Sequence, residues 1–198
     1  YIKRPLDEVI RDIKQIKDLG YKKILLLDDN IFSDKEYLNE LLDKLIQFNI
    51  EWMSQCEIRI GNDDELLSKL YKSGCRTLSF GLESISKESL ISMDKAWANP
   101  EHYDRLIQNI RNHGIDVSTE MVVGGEGDTL ESIKSTKDFI ERNKISVPRF
   151  YILTPFPGTK FFHQIKDSGR LVNDDIYSYD GTSAVYKPKN MTPEELTN

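Results

Sequence analysis

Five short stretches of this 198-residue sequence carry side chains that could do chemistry. They are Asp28-Asp29-Asn30, Gln55 to Arg59, Gly81-Leu82-Glu83-Ser84, Gly124-Gly125-Glu126-Gly127-Asp128, and Thr154-Pro155-Phe156-Pro157-Gly158-Thr159. An acidic pair such as Asp28 and Asp29 can accept hydrogen bonds from an ammonium group, or it can simply be a helix-entry turn. Glu83 follows Leu78, Phe80 and Leu82 in an apolar run, so its carboxylate needs a partner, either a ligand or a neighbouring arginine. Paired glycines at 124 and 125 form a turn and also let backbone approach a ligand closely. The Thr154-Pro155 stretch is a rigid corner with or without a ligand. Carboxylates alone could hold Mg²⁺, although nothing in the spacing demands it.

The elements that must position these stretches alternate between helical and strand periods. Apolar residues at Leu6, Val9, Ile10, Ile13 and Ile16 predict a helix from Pro5 to Leu19, stopped by Gly20. Strands are predicted over 22–28, 52–58, 76–82, 116–123 and 147–153. Helices are predicted from a Ser33-to-Glu36 capping box to about Asn49, and from Asn62 or Asp63 to Gly74. Others are predicted over 86–93, from Pro100 to Gly114, and over 129–142 and 159–167. A short extra strand is predicted near 184–186. Five strand–helix units preceded by a lone helix imply parallel strands with right-handed crossovers. The fold class is therefore α/β, a partial, open (β/α) barrel of TIM type with about five parallel strands. In such folds the working residues lie at the C-terminal ends of strands, where all five stretches fall.

Composition closes off other functions. A net charge of -6 opposes general nucleic-acid binding. The longest apolar runs are far too short to span a bilayer. Neither Gly-x-Gly-x-x-Gly at a helix start nor a phosphate loop occurs. Cys56 and Cys75 show no scaffold spacing and read as buried small residues, consistent with a cytoplasmic protein. His102, His113 and His163 show no ligand spacing and read as surface or helix-end residues.

At these strand ends the chain resembles the radical S-adenosylmethionine (SAM) superfamily. It is most similar to the branch with an N-terminal cobalamin-binding domain, the Fe–S oxidoreductases and Mg-protoporphyrin monomethyl ester oxidative cyclase-like proteins. The matching stretches are Ile24 to Phe32, Glu65 to Cys75, Phe80 to Ile85, Met121 to Thr129, Leu153 to Thr159 and Met191 to Leu196. The resemblance implies SAM and a [4Fe–4S] cluster as cofactors, with cobalamin in an upstream domain. It implies SAM contacts at Asp28 and Asp29 for the amino group, and at Glu83 and Ser84 for the ribose or methionine part. Gly124 and Gly125 are implied for the adenine, and Thr154 and Pro155 for the last contacting strand. Gln55 is carried as a candidate beside Glu57-Ile58-Arg59, which departs from the family's Arg-x-Asp.

The family's Cys-x-x-x-Cys-x-x-Cys loop is not in this sequence, and Lys3-Arg4-Pro5 resembles the segment that follows it. The expectation is a core cut from a longer protein, with residues 1–170 as partial barrel and 171–198 as an extension that starts a further region. The first barrel strand is expected upstream, leaving the 22–28 strand as an exposed edge able to support self-association. As this fragment the chain is expected to bind no cofactor and to be inactive. The full-length protein would be an enzyme acting on a small molecule or a cofactor. A cluster-free TIM-barrel hydrolase or aldolase, and a non-catalytic binding domain, are the alternatives.

Overall fold

The computed structural model describes residues 3–198. It contains eight helices and five strands in the expected alternation among those residues. In order they are α1 (Leu6–Asp18), β1 (Lys23–Leu26), α2 (Lys35–Leu45), β2 (Glu51–Gln55), α3 (Asp64–Lys72), β3 (Cys75–Glu83), α4 (Lys87–Ser92), α5 (Tyr103–Asn112), β4 (Asp116–Val123), α6 (Leu130–Arg142), β5 (Val147–Ile152), α7 (Lys160–Asp167) and α8 (Pro193–Thr197). The strands form one parallel sheet in the order β1-β2-β3-β4-β5, the strand order of a partial TIM-type barrel. Leu26 stands opposite Ser54, and Ser54 opposite Leu78, with a register shift between Trp52 and Met53.

The chain divides into two compact units. The first holds residues up to Gly81 with Tyr103–Thr119 and Ile145–Val147; the second holds Leu82–His102, Glu120–Lys144 and Pro148–Asn198. In the first unit, burial alternates along β2: Trp52 and Ser54 are buried, Met53 is half-buried and Gln55 is exposed. The helices cover the buried face with Leu38, Leu42, Leu45, Leu67 and Leu70. Each such leucine contributes about 1.5–3 kcal/mol by leaving water. Trp52 satisfies its indole N–H on the Ser73 carbonyl at 3.1 Å. Gly74 closes α3 with φ +99°, and a Cβ there would sit 1.9 Å from the Ile50 carbonyl oxygen, so only glycine fits. In the second unit the core gathers Leu82, Leu90, Met121, Phe139, Ile152, Ile165, Tyr186 and Leu196.

Local chemistry shifts some boundaries. The cap of α2 is Asp34, whose carboxylate accepts from the Tyr37 N–H at 2.9 Å. The expected Ser33–Glu36 box does not form, because Ser33 belongs to a tight turn capped by Asn30, which accepts from the Phe32 N–H at 3.1 Å. Asp63 caps α3. The Thr192–Glu195 box does form and starts α8. β1 is four residues long, shorter than the seven predicted, and the residues after Leu26 leave the ladder. Near Tyr186 there is a single antiparallel bridge to Leu171, short of a strand.

Candidate functional site

In the first unit the tip of β1 carries Asp28 and Asp29, both exposed. They adjoin a cavity of about 650 Å³ lined also by Lys3, Asp34 and Tyr37. Lys3 donates to Asp34 at 2.5 Å, which raises the ammonium's pKa and lowers the carboxyl's. The tips of β1 and β2 are tied together: Ser54 donates to the Leu26 carbonyl at 2.8 Å, and the Glu57 N–H donates to Asn30 at 3.2 Å. Gln55, the last residue of β2, is exposed at this end. Two open carboxylates at the edge of a cavity of mixed apolar and charged lining suit a group that is cationic at one end and donates hydrogen bonds.

In the second unit, Glu83 ends β3 in the left-handed region, at φ +62°. A non-glycine residue is uncommon there and such strain gathers at functional sites. Its carboxylate is paired with Lys95 at 2.5 Å, with side-chain exposures of 18% and 35%, so the pair is mostly shielded from water. The partner is a lysine twelve residues downstream, where the sequence suggested an arginine. Ser84 is buried and its hydroxyl accepts from the Ser86 N–H at 3.0 Å.

The glycine loop after β4 is occupied by its own chain. One Asp128 oxygen accepts from the Gly124 N–H at 2.8 Å and the Gly125 N–H at 2.9 Å. The other accepts from the Ser89 hydroxyl. The Gly125 carbonyl accepts from the Asp128 N–H at 2.9 Å, and the Gly124 carbonyl from the Tyr186 hydroxyl. Gly124 has φ +93°, and a Cβ there would meet Leu196 at 2.6 Å. Both glycines are buried, and a Cβ at Gly125 would meet Met93 at 2.7 Å, so they offer a ligand neither a free amide nor an open face; the half-buried part of the loop is Glu126 and Gly127. Beside them the Leu153 N–H donates to the Val123 carbonyl at 2.8 Å, which sets the start of the Thr154 corner. Thr154 and Pro155 are buried, and the Thr154 hydroxyl donates to Ile152 at 2.8 Å.

The nine sequence-derived candidates thus divide. Asp28, Asp29 and Gln55 lie in the first unit and present exposed polar groups; Glu83 lies in the second and shares its charge with Lys95. Ser84, Gly124, Gly125 and Thr154 use their polar groups to hold their own loops, and Pro155 is buried at its corner with no amide N–H to offer. Lys95, Ser89 and Tyr186 went unnoticed as site residues, and Asp128 was read only as the end of its stretch, with no contact assigned. Lys95 sits outside any periodic element, and Tyr186 lies 62 residues from the carbonyl it serves, a pairing no local pattern reveals. Asp128 had one available signal, a carboxylate three residues after paired glycines.

The thiols do not fit an iron–sulfur cluster. Cys56 and Cys75 are buried, and burial raises both pKa values, Cys75 to about 12 and Cys56 further. Thiolate, the form that binds iron, is therefore disfavoured at both. Among the described residues no group of three or more His, Cys, Asp or Glu side chains is placed to hold a metal ion.

A parallel α/β sheet with acidic and glycine-rich strand ends is the frame of a barrel enzyme class. The family model of the radical SAM superfamily matches residues 1–140, and the chain belongs to that superfamily. Among curated proteins it is 31% identical over 196 residues to bacteriochlorophyllide d C-12(1)-methyltransferase of Chlorobaculum tepidum, covering 98% of this chain and 42% of that protein. It is 24% identical to the anaerobic magnesium-protoporphyrin IX monomethyl ester cyclase of Rubrivivax gelatinosus, covering 98% and 34%. The chain therefore spans less than half the length of these relatives. Among solved structures, the radical SAM methyltransferase TsrM from Kitasatospora setae, with cobalamin and a [4Fe–4S] cluster bound, shares the fold. Its TM-score is 0.72 at 20% identity, covering 84% of this chain and 32% of that one.

Proposed function

We propose that this chain is the SAM-binding core of a radical SAM enzyme whose full-length form transfers a methyl group to a small molecule. The observation that carries the reading is the family match over residues 1–140, which takes in the β1, β2, β3 and β4 tips. The choice of methyl transfer rests on the relative at 31% identity, which is named a methyltransferase. SAM, bound beside a reduced iron–sulfur cluster, supplies one-electron chemistry or a methyl group.

The chain's own residues bind and orient. In the first unit, Asp28 and Asp29 accept hydrogen bonds from an amino group, and Gln55 adds an amide. In the second, Glu83 keeps one carboxylate oxygen on Lys95 and turns the other to a ribose hydroxyl. Gly124 and Gly125, packed under Leu196 and Met93, let the chain turn tightly so that the half-buried Glu126–Gly127 backbone stands where an adenine ring packs. Thr154 and Pro155 hold the corner after β5. The cluster's thiolates come from residues other than Cys56 and Cys75, so this segment alone performs no reaction. Cobalamin is part of the full-length reading and has no residue assigned in this chain.

The test is full-length protein prepared without oxygen, assayed for iron, sulfide, SAM binding by equilibrium dialysis, and transfer of label from methyl-labelled SAM. The expected outcome is a cluster, bound SAM and a labelled product. SAM cleavage without methyl transfer would move the reading towards oxidative chemistry. Absence of both cluster and SAM binding refutes it.

A further inference from the structure

The glycine loop of the second unit is held from two sides. Asp128 and Ser89 fix it from within, as described above. The opposite side is held by the C-terminal segment. The Tyr186 hydroxyl donates to the Gly124 carbonyl, and the ring is fully buried, edge-on to Phe161 at 5.6 Å between centroids. The Asn190 amide donates to two loop carbonyls, Glu126 at 3.2 Å and Asp128 at 3.0 Å. Arg170 donates to the Glu126 carboxylate at 2.7 Å and to the Lys187 carbonyl at 2.8 Å, while its guanidinium stands over the Tyr186 ring at 5.7 Å. Leu196 fills the space a side chain at 124 would need.

We infer that Tyr186, Asn190 and Arg170 are positioning residues that set the shape of the Gly124–Asp128 loop for the adenosine part of SAM. The inference rests on the reading of that loop as a SAM contact. The physical argument is one of accounting for polar groups. A loop with three glycines in five residues has much backbone freedom to lose on ordering. With the Gly124 and Gly125 amides held by the Asp128 carboxylate, the Gly124, Glu126 and Asp128 carbonyls are left to be fixed from outside the loop. Those are the three acceptors that Tyr186 and Asn190 engage. Carbonyls satisfied in one geometry fix the peptide planes on either side, so the half-buried Glu126–Gly127 backbone is preformed for a purine and binding does not have to order it. Arg170 couples the two by fixing Glu126, standing over the Tyr186 ring and bonding to the Lys187 carbonyl in the segment that leads to Asn190.

The test uses full-length protein prepared without oxygen and two near-isosteric variants, Tyr186→Phe and Asn190→Asp. The first keeps the buried ring and removes one donor. The second changes an exposed residue, keeps its size, and sets an acceptor against two carbonyls. Lys189→Ala, at an exposed neighbour, is the control. Two quantities are read: SAM affinity by equilibrium dialysis, and amide hydrogen exchange across residues 122–130. Each variant is expected to weaken SAM binding by roughly tenfold, the equivalent of one hydrogen bond, and to speed exchange in that segment. Exchange in α1 to β2 should stay unchanged, as should both quantities in the control. Faster exchange with wild-type affinity overturns the inference and leaves the proposed function standing, since the loop is then held for stability alone. Unchanged exchange overturns it as well. Wild-type protein that fails to bind SAM overturns the proposed function, and this inference with it, before any variant is made.

Discussion

Removing the Asp128 carboxylate should uncover how much of the second unit's stability the glycine loop contributes. The side chain is 4% exposed and accepts three hydrogen bonds, from the Gly124 and Gly125 amides and the Ser89 hydroxyl. Asp128→Ala leaves two buried amide donors without acceptors, each costing about 1–3 kcal/mol. Relief of the carboxylate's own desolvation offsets part of this, so a net loss of about 3 kcal/mol is expected. Asp128→Asn differs in kind. Its carbonyl keeps both glycine amides, its NH₂ donates to the Ser89 oxygen, and only the charge assistance is lost, about 1 kcal/mol. In urea, with a slope of about 3 kcal/mol/M, the alanine variant's midpoint falls by about 1 M and the asparagine variant's by about 0.3 M. Far-UV circular dichroism reads the transition. The reasoning fails if the alanine midpoint stays within about 0.2 M of wild type. It fails equally if asparagine is as damaging as alanine, because geometry would then count for nothing beside charge.

Further perturbations separate other causes. Gly74→Ala forces a Cβ to 1.9 Å from a backbone oxygen and should cost more than about 4 kcal/mol, whereas Gly158→Ala, with φ +88° and open space around it, should cost about 1 kcal/mol of backbone strain alone; equal midpoints in urea for the two would refute the steric account. Asp63 is held below the usual carboxylate range, first by the Lys35 ammonium at 2.6 Å and then by the Leu66 N–H. A depressed folded pKa stabilises the fold above the unfolded carboxylate value of about 4 and loses that contribution as pH falls through the folded one. Asp63→Asn should therefore flatten the acid limb of the stability profile below about pH 4 while sparing the α3 cap; an unaltered limb refutes the assignment. Burial keeps both thiols protonated, so Cys56 and Cys75 should resist a thiol reagent in native protein at pH 8 and react at once in denaturant; rapid native labelling of either would contradict the packing.

The alternation of strands and helices was readable because each element announces itself locally. Apolar residues recur at helical spacing in α1 and α5, and β4 runs over Asp116–Val123 as its own residues predict. The strand ends were readable in outline, since a parallel architecture tells where to look, but β1 stops at Leu26 and β2 at Gln55, two and three residues before their predicted ends. What escaped was set at long range. Lys95 reaches Glu83 across α4, and Tyr186 and Asn190 reach the glycine loop from beyond α7, contacts that only the folded chain brings about. The cap of α2 was misplaced by one residue because Ser33 and Asp34 are both good caps, and the Asn30 turn together with Lys3 decided between them. The glycines at 124 and 125 were read for their openness to a ligand, while the structure shows that their first duty is to Asp128, Tyr186 and Leu196.

The left-handed backbone at Glu83 has an evolutionary consequence. A glycine at that position would relax the strain, by about 1–2 kcal/mol, and would discard the carboxylate. That loss would also strand the mostly shielded Lys95 ammonium, a cost that opposes the relief, so a laboratory population selected for heat resistance alone should keep an acidic residue at 83. Strained backbone and ion pair thus stand or fall together at this end of β3.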